Sequence, residues 1–237
     1  MTALFSFFLD TVAPRECFSC GARGAWLCRR CADSIPLLAP PACPVCGKTP
    51  LPGGRLQDEC QGHLGLDRLI LSATLHHRFI QLLLYGMKYH GLRSAAGILA
   101  RLCVRALHEQ FALYPSMRSR AACVPIPLFK QKENYRGFNQ ASLIAREIAN
   151  SCHIAYAELL ECRRPMRDQI GLTKSERRIN LHGAFTAVGR PDDEIDTLLL
   201  IDDVVTTGAT MRSAAENLRA ATERPLTIIG VAAAYNN

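Results

Sequence analysis

Residues Leu198 to Thr210 read LLLIDDVVTTGAT, and the order of residue types in this run decides the fold. Thr197 to Asp202 is almost wholly apolar, as a strand must be when both faces of a parallel sheet are covered. Asp202 and Asp203 are expected at its exposed carboxyl end. Val204, Val205, Thr206, Thr207 and Gly208 then make a turn, and a helix starts at Ala209 with Thr210 in its first turn. A turn of this kind at a helix N-terminus offers free backbone N–H groups and the positive end of the helix dipole. Thr206, Thr207 and Thr210 add hydroxyl donors, and Gly208 lets the backbone approach an anion closely. The result is a cradle for a phosphate dianion. Two carboxylates beside it would repel the anion unless they served hydroxyl groups or a hydrated Mg²⁺. A lone acid pair or a lone Thr-Thr-Gly is an ordinary turn or cap. The full order of apolar strand, two acids, turn and helix points to a site for a ribose 5-phosphate group.

Working outward, strands and helices alternate. Arg68 to Leu75 and Ala121 to Ile126 read as strands, as does Leu226 to Ala233. Helices are expected at Phe79 to Tyr85, Ser94 to Phe111, Asn139 to Asn150 and Ala209 to Ala220, from apolar residues at helical spacing. This alternation predicts an α/β domain with a mainly parallel sheet flanked by helices. In such folds ligands bind at the carboxyl ends of the strands.

The first sixty-odd residues are different. Four doublets follow one another: Cys17 and Cys20, Cys28 and Cys31, Cys43 and Cys46, Cys60 and His63, each with two residues between its members. Two such doublets supply the four tetrahedral ligands that zinc requires, so one or two structural zinc ions are expected. Nearest-neighbour pairing groups the first four cysteines and then Cys43, Cys46, Cys60 and His63; interleaved pairing is also open. The segment is short and rich in Pro and Gly, so metal has to supply its folding energy. The sequence thus divides into a zinc-binding module at 1–66 and an α/β domain at 67–237. Cys103 and Cys123 lie in apolar runs and read as small core residues.

The chain of 237 residues is 49% hydrophobic and 21% charged, the balance of a globular protein with a real core. No apolar run reaches the ~18 to 20 residues of a membrane span. The apolar opening MTALFSFFLD lacks the basic start of a secretory signal. Net charge is +7, and residues 118–178 carry 12 Lys or Arg against 6 Asp or Glu. A basic middle segment attracts phosphates, on small molecules or on nucleic acid.

The strand–acid–turn–helix order resembles the fingerprint of the type I phosphoribosyltransferases. The whole chain is more specifically similar to the ComF/GntX family, through the cysteine doublets, MKYHG (Met87 to Gly91), PIPLFKQKENYRGFNQA (Pro125 to Ala141), QIGLTKSERRINLHGAF (Gln169 to Phe185) and the phosphate motif. His63 stands where a cysteine is more usual. The resemblance implies a double zinc ribbon joined to a phosphoribosyltransferase-like domain. It implies phosphoribosyl pyrophosphate with Mg²⁺ as ligand, pyrophosphate held after Pro125–Pro127, and donors from Arg136 and Asn139 around Gly137. Lys88 would be a further cation at the mouth, and Arg177 and Asn180 would follow a loop that closes over the site. It also implies a cytoplasmic protein, or one peripheral at the inner membrane, linked to the DNA-uptake machinery and natural transformation.

Three functions fit these residues. The first is a protein that handles single-stranded DNA; its aromatics are not interleaved with basic residues in the sequence, so electrostatics would dominate. The second is an active phosphoribosyltransferase, a glycosyltransferase of unknown acceptor. The third is a sensor that binds the phosphoribosyl ligand without turning it over.

Overall fold

The computed structural model describes residues 15–38, 42–52, 55–111, 120–165 and 183–236. They fall into two compact units, which part at Pro36 and Leu37.

In the first unit, a bridge between Glu16 and Arg23 frames a cysteine knuckle, and a short helix follows, α1 (Arg29–Asp33). Among its described residues Cys17, Leu27, Cys31, Ala32 and Ile35 are the buried apolar ones.

The second unit is built on a five-stranded, all-parallel sheet. Its strands are β1 (Arg68–Thr74), β2 (Ala121–Pro125), β3 (Ala155–Tyr156), β6 (Thr197–Val205) and β7 (Thr227–Tyr235), in the order β1-β7-β6-β2-β3. Strands β4 (Leu160–Cys162) and β5 (Phe185–Ala187) form a separate antiparallel pair. The helices are α2 (Asp58–Leu64), α3 (Arg78–Tyr89), α4 (Ala95–Phe111), α5 (Lys130–Arg136), α6 (Gln140–Cys152) and α7 (Ala209–Ala220).

Side chains alternate across a strand, and the alternation sorts the core into two halves. Leu198 and Leu200 of β6, Ala122 and Val124 of β2, and Leu69 and Leu71 of β1 join one cluster with Met211, Ala214, Ala215 and Leu218 of α7. Leu199, Ile201, Cys123 and Ile70 are equally buried but belong to the other face, where α4 and α6 pack on the strands. Cys103, Cys123, Cys152 and Cys162 are all buried, as small core residues are.

Several boundaries differ from the expectation. Strand β6 continues to Val205, with Val204 paired to Ala234 and Val205 to Tyr235, so Asp202 and Asp203 lie inside the strand. Helix α3 runs on to Tyr89, four residues further than the apolar spacing suggested. Helix α5 (KQKENYR) was not anticipated: it buries no residue, so it carries no apolar period to read.

Candidate ligand site and zinc centres

Strand β6 delivers the acids and α7 the turn. Because neighbours on a strand point to opposite faces, Asp203 shares its side with Leu199 and Ile201, the side on which α3 lies. There the Lys88 ammonium meets it at 2.8 Å, and both side chains are largely buried, 24% and 16% exposed. Burial works against the Asp203 charge, but Lys88 outweighs it and holds the carboxyl below its usual range. Burial likewise opposes the Lys88 charge, and the Asp203 carboxylate raises the lysine above its usual value. Asp202 has the opposite fate. Burial, and next the Asp203 charge, push its carboxyl well above the ordinary range, while its Oδ1 accepts the Asp203 N–H at 2.8 Å. One strand end thus holds one firmly ionised acid and one that resists ionisation.

The turn after Val205 closes on Gly208, which is left-handed (φ +73°) and caps α7. No other residue type fits easily. A Cβ at 208 would come within 2.5 Å of Leu64 Cδ2 and 3.4 Å of Pro44 Cγ. Among the described residues the Thr207 hydroxyl is buried with no hydrogen-bond partner. A buried donor left unpaired costs about 1 to 3 kcal/mol, so this atom is set for a partner that the described residues do not provide.

The remaining expected residues are distributed as follows. Arg136 ends α5, donates from Nη1 to Gln140 Oε1 at 3.0 Å, and lies close enough to act on the charges of Lys88 and Asp203. Gly137 is left-handed (φ +75°) and stops that helix. Asn139 is the N-cap of α6. Its Oδ1 accepts from Ala141 N and its Nδ2 donates to Ile126 O, both at 2.9 Å, with the residue buried. This is the ordinary use of Asn before a helix. Arg177 and Asn180 lie outside the described residues.

The cysteines form two groups. The sulfurs of Cys17, Cys20, Cys28 and Cys31 lie within 4.8 Å of one another, and so do those of Cys43, Cys46 and Cys60. A zinc–sulfur bond of about 2.3 Å in a tetrahedron puts sulfurs about 3.8 Å apart. The Cys20–Cys28 separation is 3.7 Å and the Cys46–Cys60 separation 3.2 Å, so both groups fit zinc. Pairing is by nearest neighbours, not interleaved. The His63 ring stands outside the second group, though its buried Nδ1 has no hydrogen-bond partner.

The position of the second group was not legible in the sequence. Cys43, Cys60, Leu56, Leu64 and Leu66 belong to the same buried cluster as Val205 and Met211. Helix α2, which carries Cys60, packs on α7. At the other end of α7, Arg219 donates to Gly65 O at 3.2 Å, to Leu226 O at 2.8 Å and to Asp67 Oδ2 at 2.8 Å. The 37–66 segment therefore braces both ends of the helix that follows the Thr206–Gly208 turn. Leu64, Pro44, Arg219 and Asp67 are the positioning residues that sequence reading missed. Leu56, Leu64 and Leu66, set singly among polar residues, form no apolar run that would have signalled it.

The fold and the cysteine groups define the class: a mainly parallel α/β protein with a double zinc ribbon at its N-terminal end. The double zinc ribbon domain family matches residues 8–61. Over 138 residues the chain is 30% identical to competence protein F of Haemophilus influenzae, covering 57% of this chain and 60% of that protein. It is 28% identical over 222 residues to the DNA utilization protein YhgH of Escherichia coli O157:H7, covering 86% and 91%. With competence protein ComFC of Bacillus subtilis it shares 34% over 95 residues, 40% and 37% of the two chains. No solved structure gives a significant match. The chain is thus similar to proteins named for competence and for DNA utilization, and it carries a double zinc ribbon as the ComF resemblance implies. Among the described residues no helix is long and apolar enough to cross a membrane.

Proposed function

We propose that the α/β domain binds a ribose 5-phosphate group, that of phosphoribosyl pyrophosphate, and that the protein serves the uptake and use of DNA by handling single strands. The observation that carries the ligand reading is the buried, unpartnered Thr207 hydroxyl beside the left-handed Gly208 at the start of α7. A phosphate oxygen satisfies that hydroxyl, and the free N–H groups and dipole of a 12-residue helix favour its charge. Asp202 and Asp203 would hold the ribose hydroxyls and Mg²⁺. Cation binding would favour ionisation of the reluctant Asp202, because a divalent charge offsets its repulsion from Asp203. Lys88 and Arg136 supply positive charge for the pyrophosphate. The DNA role is taken from the relatives, which are named for competence and DNA utilization.

Calorimetric titration with phosphoribosyl pyrophosphate and Mg²⁺ tests the reading. Asp203→Asn should weaken binding about ten- to a hundredfold, the worth of one or two charge-assisted hydrogen bonds. Thr207→Val should also weaken binding of plain ribose 5-phosphate, with or without Mg²⁺. A wild-type protein that takes up neither ligand sinks the proposal. Pyrophosphate release, assayed in parallel against a panel of bases and amines, separates a transferase from a sensor.

A further inference from the structure

Helix α3 has two faces. Ile80, Leu83, Leu84 and Met87 are buried. On the outer side Arg78, Leu82, Tyr85 and Tyr89 are exposed, spaced three to four residues apart along one stripe, with His90 just beyond. Tyr85 is 56% exposed and Tyr89 60%. Single exposed rings are ordinary, but a contiguous exposed group of them marks an interaction surface. These rings are also grouped: the Tyr85 and Tyr89 centroids are 4.9 Å apart and those of Tyr85 and His90 5.2 Å.

The surroundings of the stripe are cationic. Lys88, on α3 between the two tyrosines, reaches inward to Asp203. Just after the helix, Arg93 lies over the Phe138 ring and donates to Gly137 O at 2.6 Å. That contact joins the end of the stripe to the segment after α5. Helix α5 carries Lys130, Lys132 and Arg136 with one acid, Glu133, and presents Tyr135 at 84% exposure. A basic helix with an open ring, next to an open ring cluster, suits a chain of phosphates bearing flat bases. It suits an apolar protein partner less well, because interfaces of that kind are depleted in lysine.

We propose that Tyr85, Tyr89 and His90 form a stacking platform for the bases of single-stranded nucleic acid, with its phosphates following Arg93 and the basic helix α5. This rests on the reading that the protein handles single strands, and it assigns the place. Rings and cations alternate along both helices, and the Arg93 contact with Gly137 joins the two stretches. Every base has a stacking face, so the platform is tolerant of sequence, and the backbone attraction makes it salt-dependent.

The test uses the full chain and a fluorescently labelled 20-nucleotide poly-dT strand, with binding read by anisotropy. The Tyr85→Ala/Tyr89→Ala variant should bind about ten- to a hundredfold more weakly at one salt concentration while keeping the salt slope of the wild type. The Tyr85→Phe/Tyr89→Phe variant should retain wild-type affinity, since the ring and not the hydroxyl is used. An abasic strand of equal length should bind the wild type no better than poly-dT binds the double alanine variant. All rings involved are exposed, so melting temperatures should not move. If the double alanine variant binds poly-dT as the wild type does, or loses instead only the capture of a protein partner, the platform is overturned while DNA handling stands. If the wild type binds no single strand at all, both fall.

Discussion

The two zinc ribbons begin with the same knuckle and end in different roles. In CFSCGA, Cys17 N donates to Ala22 O at 2.8 Å and Gly21 N to Cys17 O at 2.9 Å. In CPVCGK, Cys43 N donates to Lys48 O and Gly47 N to Cys43 O, both at 2.8 Å. Gly21 (φ +70°) and Gly47 (φ +73°) are both left-handed, which lets the chain turn back so that both sulfurs face one ion. From there the ribbons part. The first sits in a unit with a handful of buried residues. The second is flanked by Leu56, Leu64 and Leu66, which bury into the core of the α/β unit. The lesson is that a metal knuckle is a local device, while what the metal supports is set by the apolar residues beside it.

The largest expected effect separates the two ions. Cys60→Ser should lower the main melting transition by on the order of 10 °C, because zinc there helps to hold a wall of the domain core. Cys17→Ser should leave that transition in place and release one ion. Calorimetry with a zinc count per chain, two in the wild type, checks both. Equal melting of the two variants would erase the contrast between the ribbons, and a count of one in the wild type would remove one of the two zinc sites.

A smaller effect sharpens the contrast at the glycines. Gly208→Ala meets Leu64 as well as an unfavourable φ and should cost about 2 to 5 kcal/mol. Gly21→Ala meets no atom and should cost only the backbone strain, about 1 to 2 kcal/mol. Combining Gly208→Ala with Leu64→Ala should recover about 1 kcal/mol or more as coupling energy. Denaturant melts of the single and double variants measure it. Strict additivity would mean that the second ribbon does not brace the phosphate turn.

The smallest effect is electrostatic and belongs to the site the second ribbon supports. Asp202 has a raised carboxyl, so its burial costs stability once pH exceeds the unfolded value of about 3.9. Asp202→Asn should therefore raise the melting temperature by a few degrees at neutral pH, and the gain should vanish as pH falls to about 4. Asp203 has a lowered carboxyl, so its pairing with Lys88 stabilises above that value and is lost as pH falls through its folded one. Melting curves of Asp202→Asn against pH should show the first trend. A gain independent of pH would place the cause outside ionisation.

The sequence by itself determined the classes of structure. Leu198 to Ile201 had to be a strand covered on both faces, since four apolar residues in a row leave no side for water. Cysteine doublets with two residues between their members pointed to a metal, and in CFSCG and CPVCG the turn aims both sulfurs at one point. These signals are local, written within one turn or one strand. Tertiary structure decided which parts meet. It set Lys88 on Asp203 from 115 positions away, made Asn139 the cap of α6, and brought Leu64 against Gly208. It also placed the open rings of α3 beside a basic helix with no apolar period of its own. Apolar periodicity records which side of an element is covered; which other element covers it depends on how strands order themselves in the sheet, and that order is a property of the whole chain.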